Sequence, residues 1–250
     1  MNALRDTGIL VGRSMRHIQR SPDTIITVAI MPIMLMLLFV YVFGGAINTG
    51  TDNKVNYMLP GILLIAIASG VAYTAMRLFT DKQKGIVARL HSMPVSRSAV
   101  LWGHVLTSLV SNAVSLAIII LVALVMGFRS SAGLTAWLAA AGILTLFTFA
   151  LTWLAVVPGL TAKSVEGATA FSYPLIYLPF ISAAFVPTAT MPTPVRVFAE
   201  HQPVTAIVNS LRALLGGQPV GIDIWTALAW CAGIAILAYF FAMRAYNRVP

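Results

Sequence analysis

The sequence predicts an all-α polytopic membrane protein: six transmembrane helices, an N-terminal amphipathic interfacial helix, and an outer re-entrant helical hairpin between spans five and six. Three observations predict it. Of 250 residues, 59% are hydrophobic and 9% charged, whereas a soluble domain carries about 25% charged residues, so this chain cannot cover a water-facing surface. Asp, Glu, Lys and Arg are absent from residues 24–51, 55–76, 98–128, 130–162, 167–195 and 224–243. Each gap holds the ~20 residues that a helix rising ~1.5 Å per residue needs to cross ~30 Å of hydrocarbon. The basic residues, finally, divide unequally between the two sides that six crossings define.

Residues 1–22 form the interfacial helix. Leu4, Val11, Met15 and Ile18 recur at helical spacing, while Arg13, Arg16, His17 and Arg20 gather opposite them, a pattern that lies flat on an inner membrane face. These residues lack the apolar core of about 7 to 15 residues that marks a secretory signal, so no cleavable leader is expected. Ser21, Pro22 and Asp23 supply a cap, a proline at the first helical position and an acid at the positive dipole end. The first span follows over 24–44, with Pro32 as a kink or local unwinding. An outer loop, 45–56, leads into the second span, 57–76, and residues 77–98 are cytoplasmic. The third span, 99–126, carries His104, Ser108, Ser111, Asn112 and Ser115 on one stripe, which must face protein or water, either to bond neighbouring helices or to line a substrate path.

An outer turn, 127–133, joins the fourth span, 134–157. An inner turn with Pro158, Gly159, Lys163 and Glu166 precedes the fifth, 168–186, which holds Pro174 and Pro179; neighbouring helices must satisfy the backbone groups these free. Residues 187–222 are outside and proline-punctuated, yet weakly polar. Two short helices are expected there: Pro194 to His201, presenting Val195, Phe198 and Ala199, and Pro203 to Leu215, with Val204, Ile207, Val208, Leu211 and Leu215 on one face and Gly216-Gly217 as its stop. Both are too short to span and too apolar for a free loop, so they dip into the outer leaflet. The last span covers 223–243, and residues 1–250 make a single transmembrane domain.

Charge sets the orientation. With the N-terminus inside, the cytoplasmic segments hold Arg5, Arg13, Arg16, Arg20, Arg77, Lys82, Lys84, Arg89, Arg97, Lys163, Arg244 and Arg248, and only Lys54, Arg129, Arg196 and Arg212 lie outside. Positive flanks resist translocation, so both termini are expected in the cytoplasm, in the inner cell membrane. The same scatter of basic residues among span flanks argues against nucleic acid, which needs them along one face.

Several chemistries are excluded in turn. Between six spans no piece is long enough for a soluble catalytic domain. The single Cys231 excludes an intrachain disulfide. His17, His91, His104 and His201 lie in four segments without the spacing of a metal-binding helix. His104 and Ser108 share a face but lack the nucleophile turn of a serine hydrolase. Residues 159–164, Gly-Leu-Thr-Ala-Lys-Ser, lack the second glycine of a phosphate loop. No acid lies inside a span, which counts against a proton-driven carrier or an acidic channel ring. Energy must therefore come from another chain.

The stretch Asp81 to Arg97 is where it enters. A charged start, a helix of about ten residues with Val87 and Leu90 on one face, and a stop at Pro94 describe an element marginal by itself in water, hence one that docks. This stretch resembles the inner-loop signature of permease subunits of ATP-binding-cassette type-2 exporters, matched by Asp81, Lys84, Gly85, Arg89, Leu90, Pro94, Val95, Ser96 and Arg97. A second match lies in the outer hairpin: Pro187, Met191-Pro192, Arg196, Pro203-Val204-Thr205 and Leu211 to Gly217. With the basic leading helix and six spans, the resemblance covers nearly the whole chain and is nearest to the daunorubicin-resistance type of drug exporter. His91-Ser92-Met93 departs from the family, which is more often apolar or Thr/Ala there.

The resemblance implies a coupling helix, Lys84, Gly85, Arg89, Leu90, His91, Pro94 and Arg97, that receives the closure of a separate ATP-binding subunit. Arg89 and Leu90 would make the contacts that differ between states, and Lys84 and Arg97 would seat the helix. It implies partners as well: the ATPase subunit, a second permease copy or homologue, and membrane lipid. This chain would bind no cofactor, ATP and Mg belonging to the partner. The cargo is expected to be an amphiphilic or apolar molecule (drug, antibiotic or lipid) passing Phe39, Phe43, Tyr73 and Asn112, although such aromatic residues also pack spans in any membrane protein. Two other readings stay open: a polysaccharide or glycolipid exporter of the same architecture, and a membrane-embedded enzyme that works without an ATPase.

Overall fold

The computed structural model describes residues 22–44, 53–86 and 97–247, with side chains from residue 28 in the first stretch and residue 100 in the third. Among the described residues every regular element is a helix: α1 (Pro22–Leu37, prolonged by a π turn, Leu38–Val42), α2 (Lys54–Gln83), α3 (Arg97–Val125), α4 (Leu134–Thr161), α5 (Val165–Thr169), α6 (Ser172–Tyr177, prolonged by a 3-10 turn, Leu178–Ile181), α7 (Thr193–His201), α8 (Pro203–Leu215) and α9 (Asp223–Tyr246). Four of them, α2, α3, α4 and α9, are long and apolar enough to cross a membrane.

The fold is organised around α2. Its sequence is apolar on every side between Val55 and Val71, and a helix without a polar face has to be enclosed. Tyr57 to Ala68 are buried without a break, with α1, α3, α4, α5, α6 and α8 packed around them. Glycines set how near these neighbours come. A Cβ on Gly61 would lie 2.6 Å from the Ala184 side chain, and one on Gly70 would lie 2.2 Å from the Asn112 amide. Small residues permit such contact between helices that gain nothing from expelling water.

The last helix, α9, leans on α4 and α8. Its small residues Ala227, Cys231, Ala235, Ala238 and Ala242 are buried, while Trp225, Trp230, Ile236, Leu237, Phe240 and Phe241 point outward. So large an apolar surface is stable only against hydrocarbon or another apolar chain.

Three stretches depart from the sequence expectation. Residues 168–186 are not one continuous helix. They form α5, α6, a 3-10 turn and a run of turns through Phe185, because Pro174 and Pro179 each remove a backbone donor. The fourth helix runs past 157 to Thr161 with Pro158 inside it. There a proline costs one backbone bond, while Gly159 lets α4 close to 3.1 Å, measured from a would-be Cβ, on the Ala75 carbonyl oxygen of α2. Finally α2 continues to Gln83, so Asp81 and Lys82 belong to the spanning helix rather than to the loop. The expected interfacial helix before Pro22, most of the outer loop 45–56 and the coupling helix after Ile86 lie outside the described residues.

The predicted apolar face of α8 is buried at all five positions, from Val204 at 4% exposure to Leu215 at 6%. In α7 only Ala199 turns inward, whereas Val195 and Phe198 are exposed.

Candidate functional site

The C-terminal end of α2 carries the first group of interest. Asp81 Oδ2 lies 3.6 Å from His104 Nε2 of α3, and Lys82 Nζ donates to the Leu160 carbonyl near the end of α4 at 2.5 Å. Arg77, one turn earlier, is enclosed with its Nε unbonded. The helix then closes with Lys84 N–H donating to Thr80 O and Gly85 N–H to Lys82 O, both at 3.0 Å. Gly85 leaves it in the left-handed region, φ +67°, with open space around it. Glycine is needed there for its backbone freedom and not for room. The last turn of α2 is thus in polar contact with two other long helices, α3 through Asp81 and α4 through Lys82.

Half-way along the bundle the stripe on α3 meets two helices. Thr74 Oγ1 of α2 donates to Ser108 Oγ at 2.8 Å, and Ser108 and Thr152 hydroxyls lie 3.3 Å apart. Thr152 spends its proton on the Thr148 carbonyl at 2.6 Å, so Ser108 is the donor to Thr152, and the hydroxyl protons run in one direction from α2 through α3 into α4. Asn112 Nδ2 donates to the Ser108 carbonyl at 2.9 Å, and its Oδ1 is buried without a bond partner.

Aromatic residues form the third group, where the π turn meets the broken segment. In the π turn Phe43 N–H reaches back to Leu38 O at 3.0 Å, a wider turn that rotates the next residues relative to α1. Phe39 stacks on Phe185 with centroids 4.6 Å apart and stands 5.8 Å from Phe43 and 6.0 Å from Phe180. Phe180 and Phe185 stack at 5.1 Å. Phe43, Tyr173 and Tyr177 carry this surface outward, all being exposed.

At the opposite end of the bundle the helices are laced through backbone groups. Asn56 Nδ2 donates to the Arg129 carbonyl at 2.6 Å, and Arg129 N–H returns a bond to Asn56 Oδ1 at 3.0 Å. Asn53 Nδ2 bonds the Gly127 carbonyl at 3.0 Å, and Ser130 and Ser131 hydroxyls donate to Leu215 and Gly216 carbonyls, each at 2.7 Å.

A family model described as ABC-2 type transporter matches residues 5–215 of this sequence. The chain belongs to the ABC-2 type transporter family. It is similar to the daunorubicin resistance ABC transporter permease protein DrrB1 of Streptomyces coeruleorubidus, 29% identical over 237 residues that cover 94% of this chain and 84% of that protein. It is similar also to the probable doxorubicin resistance ABC transporter permease protein DrrC of Mycobacterium tuberculosis, in strains CDC 1551 / Oshkosh and H37Rv, 27% identical over 229 residues, 90% of this chain and 82% of those proteins. The family resemblance expected from the inner-loop and hairpin motifs is therefore met.

Within this ABC-2 chain the expected site residues fall in separate places. Lys84 and Gly85 end α2; Arg89, Leu90, His91 and Pro94 lie outside the described residues, and Arg97 opens α3. Phe39 and Phe43 share the aromatic group. Tyr73 is half-buried on α2, and Asn112 is 3% exposed between α2 and α3. Sequence reasoning did not find Phe180 and Phe185, which look like ordinary span residues until the helix is seen to end at Tyr177, ahead of Pro179. Nor did it find Thr74 and Thr152 as partners of Ser108, although Thr148 and Thr152, one turn apart on α4, are a polar pair on an apolar helix.

Proposed function

We propose that this chain is the permease subunit of an ATP-driven exporter that carries an amphiphilic aromatic molecule of the daunorubicin and doxorubicin kind outward across the cytoplasmic membrane. The observation that carries the reading is the inner end of α2. It leads into the loop with the family's signature and is bonded to α3 through Asp81 and His104 and to α4 through Lys82. A ligand-driven movement shifts a protein only through contacts that differ between its states. A push on this loop from a closing ATPase dimer reaches three long helices at once.

In this reading six crossings are made by α1 with its π turn, α2, α3, α4, the broken segment from α5 to Phe185, and α9. Both termini are cytoplasmic, and α7 and α8 form the re-entrant hairpin, with exposed Val195 and Phe198 in the outer leaflet. Arg89 and Leu90 contact the ATPase, with Lys84, Gly85, His91, Pro94 and Arg97 setting the coupling helix. ATP and Mg are bound by that partner, and a second permease copy completes the path. Phe39, Phe43 and Tyr73 face the cargo, with Asn112 as the polar group behind them. The aromatic group supports a flat aromatic cargo, since ring stacking adds about 0.5–1.5 kcal/mol beyond the burial of area.

The test is reconstitution with its partner ATP-binding subunit. ATP-dependent movement of daunorubicin is expected, and Arg89→Glu should abolish it while membrane insertion stays intact. Export undiminished by Arg89→Glu overturns the assignment of the loop.

A further inference from the structure

We propose that one polar edge of the outer hairpin, formed by Gln202, Thr205 and Arg212, is a positioning device that holds the break in the fifth segment in place and so sets the aromatic face that selects the cargo. The inference rests on the function proposed above. These residues, with Asn209, recur three and four positions apart at the start and along α8, so they share one side of the helix, beside the apolar face that α8 turns to the core.

Gln202, Thr205 and Arg212 all bond backbone groups. Gln202 Nε2 donates to the carbonyls of Leu178 and Ile181. Thr205 Oγ1 accepts from Ala183 N–H at 3.3 Å. Arg212 Nη2 donates to Ala183 O at 2.8 Å, to Ala184 O at 3.4 Å and to Tyr57 O of α2 at 3.1 Å. Its guanidinium carbon sits 3.8 Å above the Tyr57 ring, and its Nη1 donates to Asn209 Oδ1 at 3.4 Å. Among the described residues no carboxylate pairs with Arg212; carbonyl groups and a ring take its charge instead. A lysine would offer a point charge, whereas the planar fork reaches two chain segments together.

The carbonyls so held are those that a broken helix leaves open. Residues 178–185 no longer bond within one α-helix, and in an apolar setting each unpaired backbone group is costly. The same eight residues carry Phe180 and Phe185, stacked on one another and on Phe39. Gly61 completes the seat, because any side chain there would strike Ala184. The edge of α8 thus fixes where two of the three stacked rings stand relative to α1. A role confined to stability would lower the amount of folded protein and leave the cargo preference unchanged.

Two measurements on the full chain test this. In a Cys231→Ala background, Phe39→Cys with Phe185→Cys should crosslink under mild oxidation, and adding Arg212→Gln or Thr205→Val should reduce the yield several-fold. In proteoliposomes with the ATPase subunit, Arg212→Gln alone should raise the half-saturating daunorubicin concentration roughly tenfold and Arg212→Lys by less, with ATPase association unchanged. Crosslinking equal to the parent in both variants, or an unchanged half-saturating concentration, overturns the proposal. A parent protein that moves no daunorubicin sinks the functional reading instead, and the crosslinking arm still judges the placement.

Discussion

Ser108 shows how one hydroxyl can tie three helices. It accepts from Thr74, donates to Thr152 and lies 3.3 Å from Asn112 Nδ2. Interhelical hydrogen bonds in membranes are worth about 0.5–2 kcal/mol, so Ser108→Ala should lower thermal stability by ~1 kcal/mol and leave the fold intact, as read by thermal unfolding in detergent. Gly70 should matter more. A methyl group there would stand 2.2 Å from Asn112 Oδ1, and the packed helices would have to part. Gly70→Ala is expected to be worse than Ser108→Ala, and Asn112→Ala added to it should restore part of the loss; a double variant no better than Gly70→Ala alone contradicts the contact. On the surface of α7, the bond from Arg196 Nε to Glu200 Oε1 at 2.7 Å holds the Glu200 carboxyl below the ordinary carboxylate range. Its contribution is present above the unfolded carboxylate pKa of about 4.3 and fades as pH falls through the lower folded value. The pair is exposed, and such pairs contribute little, so Glu200→Gln should leave the melting temperature at pH 7 unchanged.

At the scale of elements, α2 acts as the lever. The last turn is bound to α3 and α4 by one polar contact each, and the inner cluster of Leu78, Val100, Leu101, Val105, Trp153 and Val156 fills the space between. Asp81→Asn with Lys82→Met should keep that packing and the bound ATPase, yet lower the daunorubicin moved per ATP hydrolysed by several-fold; a transport ratio equal to the parent argues against the lever. Much of this level was legible beforehand. Charge-free length locates α2, α3, α4 and α9, and helical spacing picks out the five buried positions of α8. The departures share one physical cause: prolines act through the structure around them. Pro158 is carried inside α4 because Gly159 secures close packing on α2, whereas Pro174 and Pro179 break their segment, and nothing in the local pattern separates the two cases. The polar edge of α8 stayed hidden for a related reason. Gln202, Thr205 and Arg212 look like a water-facing side until the broken backbone of 178–184 is seen lying against them.

For the whole molecule, the outward-facing Trp, Phe, Ile and Leu residues of α9 and the exposed apolar residues of α1 describe a body that lives in hydrocarbon. Family membership over residues 5–215 agrees with the residue pattern, which leaves this chain without an ATPase domain of its own and implies an ATP-binding partner. In the proposed reading, the lacing at one end of the bundle and the contacts at the end of α2 make one mechanical unit that a partner ATPase pushes from the cytoplasm. The most direct measurement is ATP-dependent daunorubicin accumulation in sealed inside-out proteoliposomes holding this chain with or without its ATPase. Accumulation only when both are present is expected; accumulation by this chain alone would contradict the account.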